Sequence, residues 1–285
     1  MAAFMEYLAN GAFFGALYAL LALPMFLIWS TTDVVDINIG GYVIVAGVVS
    51  ASVGGVTGWL LGVMAALGMG AVTGLLFLAF HWLWDMKDMM RIVLATFGLL
   101  LITASAVQAL VGTDNLYLSG LSGSVHLLGF RLSTQGMFNL LLASAFLLIL
   151  FIVLNGSASG LRMRAAAASA ASAALVGIAV RRMQFMAFLV GSGMAGIVGI
   201  LAAMTTGVSY SRGLQFSVYA VTAVILLGLR GPATVFLGGI LLGIFEQMGV
   251  AYLPSGWSQL LPPALILLVL ASGRSHTISV HAVRA

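Results

Sequence analysis

The sequence has no cysteine and little charge, with 11 Lys or Arg and 7 Asp or Glu in 285 residues. The missing cysteines exclude disulfides, thiolate metal sites and a cysteine nucleophile. Catalytic signatures are absent as well. The four histidines, His81, His126, His276 and His281, are scattered without metal-ligand spacing, and there is no H-E-x-x-H, no G-x-S-x-G elbow and no P-loop. No metal site is expected, and any nucleotide hydrolysis would belong to another chain. The first apolar run is preceded by Glu6 and by no Lys or Arg, so the segment is expected to be retained as a helix and not cleaved as a signal peptide.

The few charges fall in short clusters between long apolar runs. Hydrocarbon cannot satisfy free backbone groups, so each run is expected to cross a membrane as a helix. Residues 10–29, 56–80, 92–111, 137–154, 183–203 and 235–252 are each long enough to span. Residues 37–53, 216–229 and 260–271 are shorter or interrupted, and read as full spans, half-helices or re-entrant pieces. The fold class is therefore an all-α polytopic membrane protein of eight or nine transmembrane helices, forming one transmembrane domain over 1–285. The longest non-spanning stretches, 112–136 and 155–182, are too short to hold a soluble domain.

Lys and Arg in short loops favour the cytoplasmic side. Lys87 with Arg91, then Arg162, Arg164, Arg181 and Arg182, then Arg230, then Arg274 with Arg284 fall in alternate loops if nine segments cross. That predicts an outside N-terminus and a cytoplasmic C-terminus, with Arg131 and Arg212 as exceptions. The net charge of +4 sits on one membrane face and forms no dense basic stripe, so nucleic acid is not an expected partner; membrane lipid is.

Glycine is abundant, at 35 residues. Gly191, Gly193, Gly196 and Gly199, and again Gly238, Gly239 and Gly243, have the spacing that brings helix backbones together. The segment Asp33-Val-Val-Asp-Ile-Asn-Ile-Gly-Gly-Tyr42 differs, because two carboxylates and an amide lead into a glycine pair. Asp36 or Asn38 would cap a helix, line a solute pathway beside a backbone loosened at Gly40 and Gly41, or do both. Glu246, with Gln247, lies slightly past the middle of an apolar span. An ionisable group there is expected to face the bundle interior, in a pathway role or a structural hydrogen bond. Gln108 reads as an interhelical hydrogen bond.

From Gly160 the chain reads GLRMRAAAASAASAALVGIAVRRMQ, a basic start, an alanine-rich stretch, a glycine and two arginines before the next span. It predicts a short cytoplasmic helix held between two spans, either a handle for a motor or a plain connector with snorkelling arginines. In this loop the sequence resembles the smaller permease of branched-chain amino acid ABC transporters, whose G-x-x-x-R-A … L-x-G-I pattern is met by Gly160, Arg164, Ala165, Ala173, Leu175, Gly177 and Ile178. The resemblance extends to G-x-x-Y-A-L at Gly15, Tyr18, Ala19 and Leu20, and to the glycine-rich 226–257 region with its Y-L-P-S tail. It departs where the family usually has N-F-A-H-G-E: this chain reads Asp36-Ile-Asn-Ile-Gly-Gly41, keeping Gly40 and losing the His and Glu. Pro24 and Arg230 are further departures, and the alanine-rich stretch stands where acidic or amide residues are usual.

The resemblance implies an importer subunit in a prokaryotic plasma membrane, the inner membrane of a Gram-negative cell. It would move a small polar solute, an amino acid or a similar compound, by alternating access. Implied partners are a second permease subunit of different sequence, two ATPases carrying ATP and Mg, and an extracytoplasmic binding protein; this chain itself would hold no cofactor. Gly160, Arg162, Arg164, Ala165, Ala173, Gly177, Arg181 and Arg182 would couple to the ATPases, and Tyr18, Asp36, Asn38, Gly40, Gly41, Tyr42 and Glu246 would line the path. Two other classes remain open on the residues alone. A self-sufficient secondary transporter or channel would use Asp36 or Glu246 as its own ion site, and a membrane enzyme would need paired catalytic groups that the sequence does not show.

Overall fold

The computed structural model describes residues 2–83, 89–121, 123–127, 130–252, 254 and 260–271. Lys87, Arg274, Arg284, His276, His281 and two residues of the YLPS tail, Leu253 and Ser255, lie outside the described residues. Eleven helices follow in order among those described: α1 (Ala2–Thr32), α2 (Ile39–Val53), α3 (Gly55–Leu83), α4 (Met89–Val111), α5 (Thr134–Gly156), α6 (Ala158–Ala168), α7 (Ala170–Leu175), α8 (Val180–Thr205), α9 (Arg212–Leu227), α10 (Pro232–Tyr252) and α11 (Leu261–Ala271). Six of them, α1, α3, α4, α5, α8 and α10, are long and apolar enough to cross a membrane, while α2 and α9 are shorter apolar helices. The protein is a polytopic membrane protein.

The all-α class holds, with one small addition: β1 (Ser124–Leu127) and β2 (Phe130–Ser133) pair antiparallel, with Ser124 opposite Ser133 and Leu127 opposite Phe130. One expectation needs correction. The alanine-rich loop holds two helices and not one. Ser169 has an extended backbone and its side chain accepts a hydrogen bond from Ser172 N–H at 3.2 Å, so it ends α6 and caps α7 at once.

The core is built on glycine. α1 is the central helix, and α10 runs antiparallel against it with Gly15 on Ile240, Gly239 on Ala19 and Gly243 on Gly15. A Cβ at any of these would collide with facing backbone, so the two helices approach as closely as helices can. On the other flank of the core, Gly191 meets Ile28 of α1, Gly193 meets Leu67, Gly196 meets Ala66 and Ala46, and Gly199 meets the Val43 carbonyl of α2. Each glycine of the α8 series thus admits a different neighbour, and α8 touches α1, α2 and α3 along one length. The outer faces of α3, α4 and α5 carry exposed Leu60, Leu61, Leu94, Ile102, Leu141 and Ile149, as lipid-facing surfaces do.

The short helices are set by breaks. α1 ends where Thr31 and Thr32 hydroxyls donate to the Leu27 and Ile28 carbonyls, both at 2.7 Å, and Asp33 turns the chain at φ 58°. α2 then runs back to Gly54 and Gly55, whose successive φ values of 72° and 62° fold it onto α3 in a turn that only glycine makes cheaply. Between α8 and α9 the chain turns at Gly207, and Val208 pairs in both directions with Leu116, each N–H to carbonyl distance being 2.9 Å.

Candidate functional site

The predicted path residues fall into two separate polar clusters. The first surrounds the break between α1 and α2. Asp36 is fully buried, and one carboxylate oxygen accepts the Asn38 N–H at 2.9 Å while the other accepts the Tyr42 hydroxyl at 2.7 Å. Asn38 occupies the N-cap position of α2 but makes no side-chain cap bond; its amide donates instead to Thr73 of α3 at 3.2 Å. The Thr73 hydroxyl donates to the Met69 carbonyl at 3.0 Å, so Thr73 can only accept from Asn38, and the Asn38 side-chain oxygen is left buried with no partner. Gly41 is the residue that makes room for that oxygen.

The same break is tied to two further helices. Thr96 of α4 accepts the Ile37 N–H at 3.3 Å. Ser217 of α9 accepts the Gly40 N–H at 3.0 Å and donates to the Ile37 carbonyl at 2.5 Å. Gly40 lies directly on the Gly213 carbonyl, so the first turn of α2 rests on the first turn of α9. Four helices are joined here by hydrogen bonds that the apolar sequence hides: Thr73, Thr96 and Ser217 are single hydroxyls in apolar runs, and such groups usually bond only to their own helix. Asp36, Asn38, Gly40, Gly41 and Tyr42 are all buried in this conformation.

The second cluster joins α1, α9 and α10. The Glu246 carboxylate accepts the Tyr219 hydroxyl at 2.7 Å, and Gln215 donates to the same hydroxyl at 2.7 Å. Tyr18 lies across the Tyr219 ring, with centroids 4.6 Å apart and planes tilted by 56°. Glu246 therefore has the interior partner its position demanded. Gln215 and Tyr219 were missed in the sequence; their four-residue spacing on α9 was the available signal. Also missed were Gln135 and Asn139, buried on α5, where Gln135 donates to Asn139 at 3.0 Å and accepts the Leu121 N–H at 2.8 Å. Gln108, by contrast, is exposed on α4 and makes no side-chain hydrogen bond among the described residues, so the interhelical bond expected of it is not formed.

The loop between α5 and α8 gathers the remaining candidates. Ser157 caps α6 by accepting the Gly160 N–H at 2.9 Å. Gly160 lies on the Val153 carbonyl, so the corner between α5 and α6 closes only around glycine. Arg164 donates to the Asn155 side chain while Ala165 is half-buried, and Arg162, Arg164, Arg181 and Arg182 are all exposed at this end of the bundle. α7 ends in a Schellman turn: Gly177, at φ 84°, donates to the Ala174 carbonyl, and Ile178 donates to that of Ala173, both at 3.0 Å. Ala173 is buried and Ile178 packs on the core, which presents Leu175 and Val176 to the outside at 90% and 81% exposure.

These features define a multi-span membrane protein with a helical loop at one end and no catalytic constellation among the described residues. The comparisons with known proteins agree. Residues 7–270 match the family described as branched-chain amino acid transport system, permease component, and the chain belongs to that family. It is 27% identical over 94% of its length to the high-affinity branched-chain amino acid transport system permease protein LivH of Escherichia coli K12, covering 92% of that protein. It is 26% identical, with the same coverage, to LivH of Salmonella typhimurium. It is 28% identical to BraD of Pseudomonas aeruginosa over 42% of this chain and 40% of that one. No solved structure matches. The chain is a transport-system permease subunit.

Proposed function

We propose that this chain forms one membrane half of an ATP-driven importer for branched-chain amino acids or closely similar small solutes. It works with a second, homologous permease, two ATPases that bind ATP and Mg, and an extracytoplasmic binding protein. It lies in the inner membrane of a Gram-negative cell, or the plasma membrane of another prokaryote, with nine crossings, the N-terminus outside and the C-terminus inside. The observation that carries the reading is the α6–α7 loop in a chain of this permease family. It is a compact unit held at both ends by spans α5 and α8, ringed by four arginines and tipped by two exposed aliphatic side chains. Displacing that tip moves both spans, and the glycine-packed bundle passes the displacement to the break at 33–38. Gly160, Arg162, Arg164, Ala165, Ala173, Gly177, Arg181 and Arg182 serve this contact. Tyr18, Asp36, Asn38, Gly40, Gly41, Tyr42 and Glu246 belong to the elements that move.

Reconstitution with the neighbouring gene products tests the assembly. Leucine uptake is expected to require ATP and the binding protein; uptake driven by an ion gradient without ATPases would transfer the chain to the secondary transporters. The orientation has its own test, because the sequence has no cysteine to remove. An impermeant thiol reagent added to intact cells should label a cysteine placed at Asn115 and spare one placed at Arg181. The reverse pattern inverts the topology.

A further inference from the structure

At the end of the bundle opposite the α6–α7 loop, a cavity of about 300 Å³ opens between α1 and α10, lined by Glu6, Tyr7, Asn10, Phe14 and Gln247. Its volume is at the lower limit of small-molecule sites. Glu6, Asn10 and Phe14 follow one another at four-residue spacing and so share one face of α1. The floor is the glycine crossing itself, where Gly11 meets Ile244 and the stem of Gln247. The rim is closed by Tyr7 against Tyr252, edge to face with ring centroids 6.4 Å apart. The polar groups on α10 divide their tasks. Glu246 is engaged by Tyr219, whereas the adjacent Gln247, half-buried, makes no hydrogen bond among the described residues. Glu6 forms no ion pair among them either.

We infer that this cavity is a binding site for a small solute carrying a primary ammonium and an apolar arm. The inference rests on the importer reading, for which it names the first station on the permease itself. The Glu6 carboxylate and the Gln247 amide oxygen can hold an ammonium, and the rings of Tyr7 and Phe14 cover an aliphatic chain and add cation–π attraction. The amide N–H group of Gln247 suits a carboxylate on the same solute, but the lone acid makes the ammonium the group that is required.

The test uses the complete transporter in phosphatidylglycerol nanodiscs, with Tyr252→Cys on the rim as the thiol reporter, so that every lining residue stays in place. Ala251→Cys, its chain neighbour, is a second reporter if the first disturbs assembly. Leucine and leucinamide at about 10 mM should slow alkylation about tenfold for a millimolar Kd. The ammonium-free analogue 4-methylpentanoate should not slow it, and adding Glu6→Gln should remove the protection by leucinamide. Absence of protection, equal protection by 4-methylpentanoate, or protection surviving Glu6→Gln overturns the site. Protection that appears only in phosphatidylethanolamine discs, with leucinamide ineffective, gives the cavity to a lipid headgroup and also overturns it. Leucine uptake by the unsubstituted transporter is measured alongside. Uptake without protection removes this site and leaves the importer reading standing, while protection without uptake does the reverse.

Discussion

The two polar clusters put their hydrogen bonds to different uses. Around Asp36 every group but one is satisfied, all are buried, and the bonds join four helices across a break in the chain. Around Glu246 the two tyrosines are buried but Glu246 and Gln215 are only half-buried, the bonds join α9 to α10, and the next residue along lines an open cavity. A closed knot holds elements in place and tolerates little change. A half-open cluster can exchange its partners with water or solute at small cost. The difference teaches that a polar residue in an apolar span cannot be assigned a role from its chemistry alone; its neighbours' remaining hydrogen-bonding capacity decides.

Breaking the knot by volume should give the largest effect. Gly40→Val drives a side chain into the Gly213 carbonyl, where backbone faces backbone and nothing flexible can yield. We expect a loss of about 3 kcal/mol or more, seen as failure to accumulate in the membrane; normal accumulation would mean that α2 and α9 do not meet as described. Removing the central acceptor comes next. Asp36→Ala orphans the Tyr42 hydroxyl and the Asn38 N–H and should cost about 2–5 kcal/mol, while Asp36→Asn keeps an acceptor for one of them and should cost about 1–2 kcal/mol. Thermal unfolding in detergent ranks the two. Uptake sharpens the result: a normal rate in the Asn variant beside a destabilised Ala variant makes Asp36 purely structural.

The second cluster should respond in the opposite way. Glu246→Gln still accepts the Tyr219 hydroxyl, so stability should stay within about 1 kcal/mol while uptake falls. A large drop in melting temperature with an unchanged rate would reverse the contrast between the clusters. The smallest change in global melting is expected at the loop tip. Gly177→Ala forces a side chain into the left-handed region at a cost of about 1–2 kcal/mol, confined to the end of α7 and paid for mostly by reorienting Leu175 and Val176. Global melting should barely move, whereas ATP hydrolysis should run on with less transport per turnover; tightly coupled turnover in this variant would remove the tip from the coupling contact.

Much of the fold was legible because membrane spans are long and the medium permits few alternatives. The 10–29 and 183–203 runs became α1 and α8 with only their ends extended, and the glycine spacing in α8 correctly announced close packing. The break at Ser169 was less visible, since a serine in an alanine run is helix-compatible until its side chain takes the cap. The pairing of β1 with β2 was hidden by the shortness of the strands. Within the site, Asp36 and Glu246 drew attention through charge and Tyr42 through its place beside the glycine pair, but Tyr219 and Gln215, the partners on the Glu246 side, are ordinary residues that acquire meaning only when α9 is brought against α10. That placement depends on the turn at Gly207 and on the Val208 pairing with Leu116, the second a long-range contact that no local pattern carries.

The contact of α2 with α9 at Gly40 and Gly213 also has an electrostatic side. Each helix begins there, and each beginning carries a partial positive charge of about half an elementary unit from its aligned peptide dipoles. Two such ends side by side in a medium of low polarity repel each other and create a positive spot inside the bundle. The carboxylate of Asp36, fixed at the start of α2, supplies nearly the opposite charge. The junction is therefore close to neutral as a whole, and losing the acid would leave an uncompensated positive spot where the two helices meet.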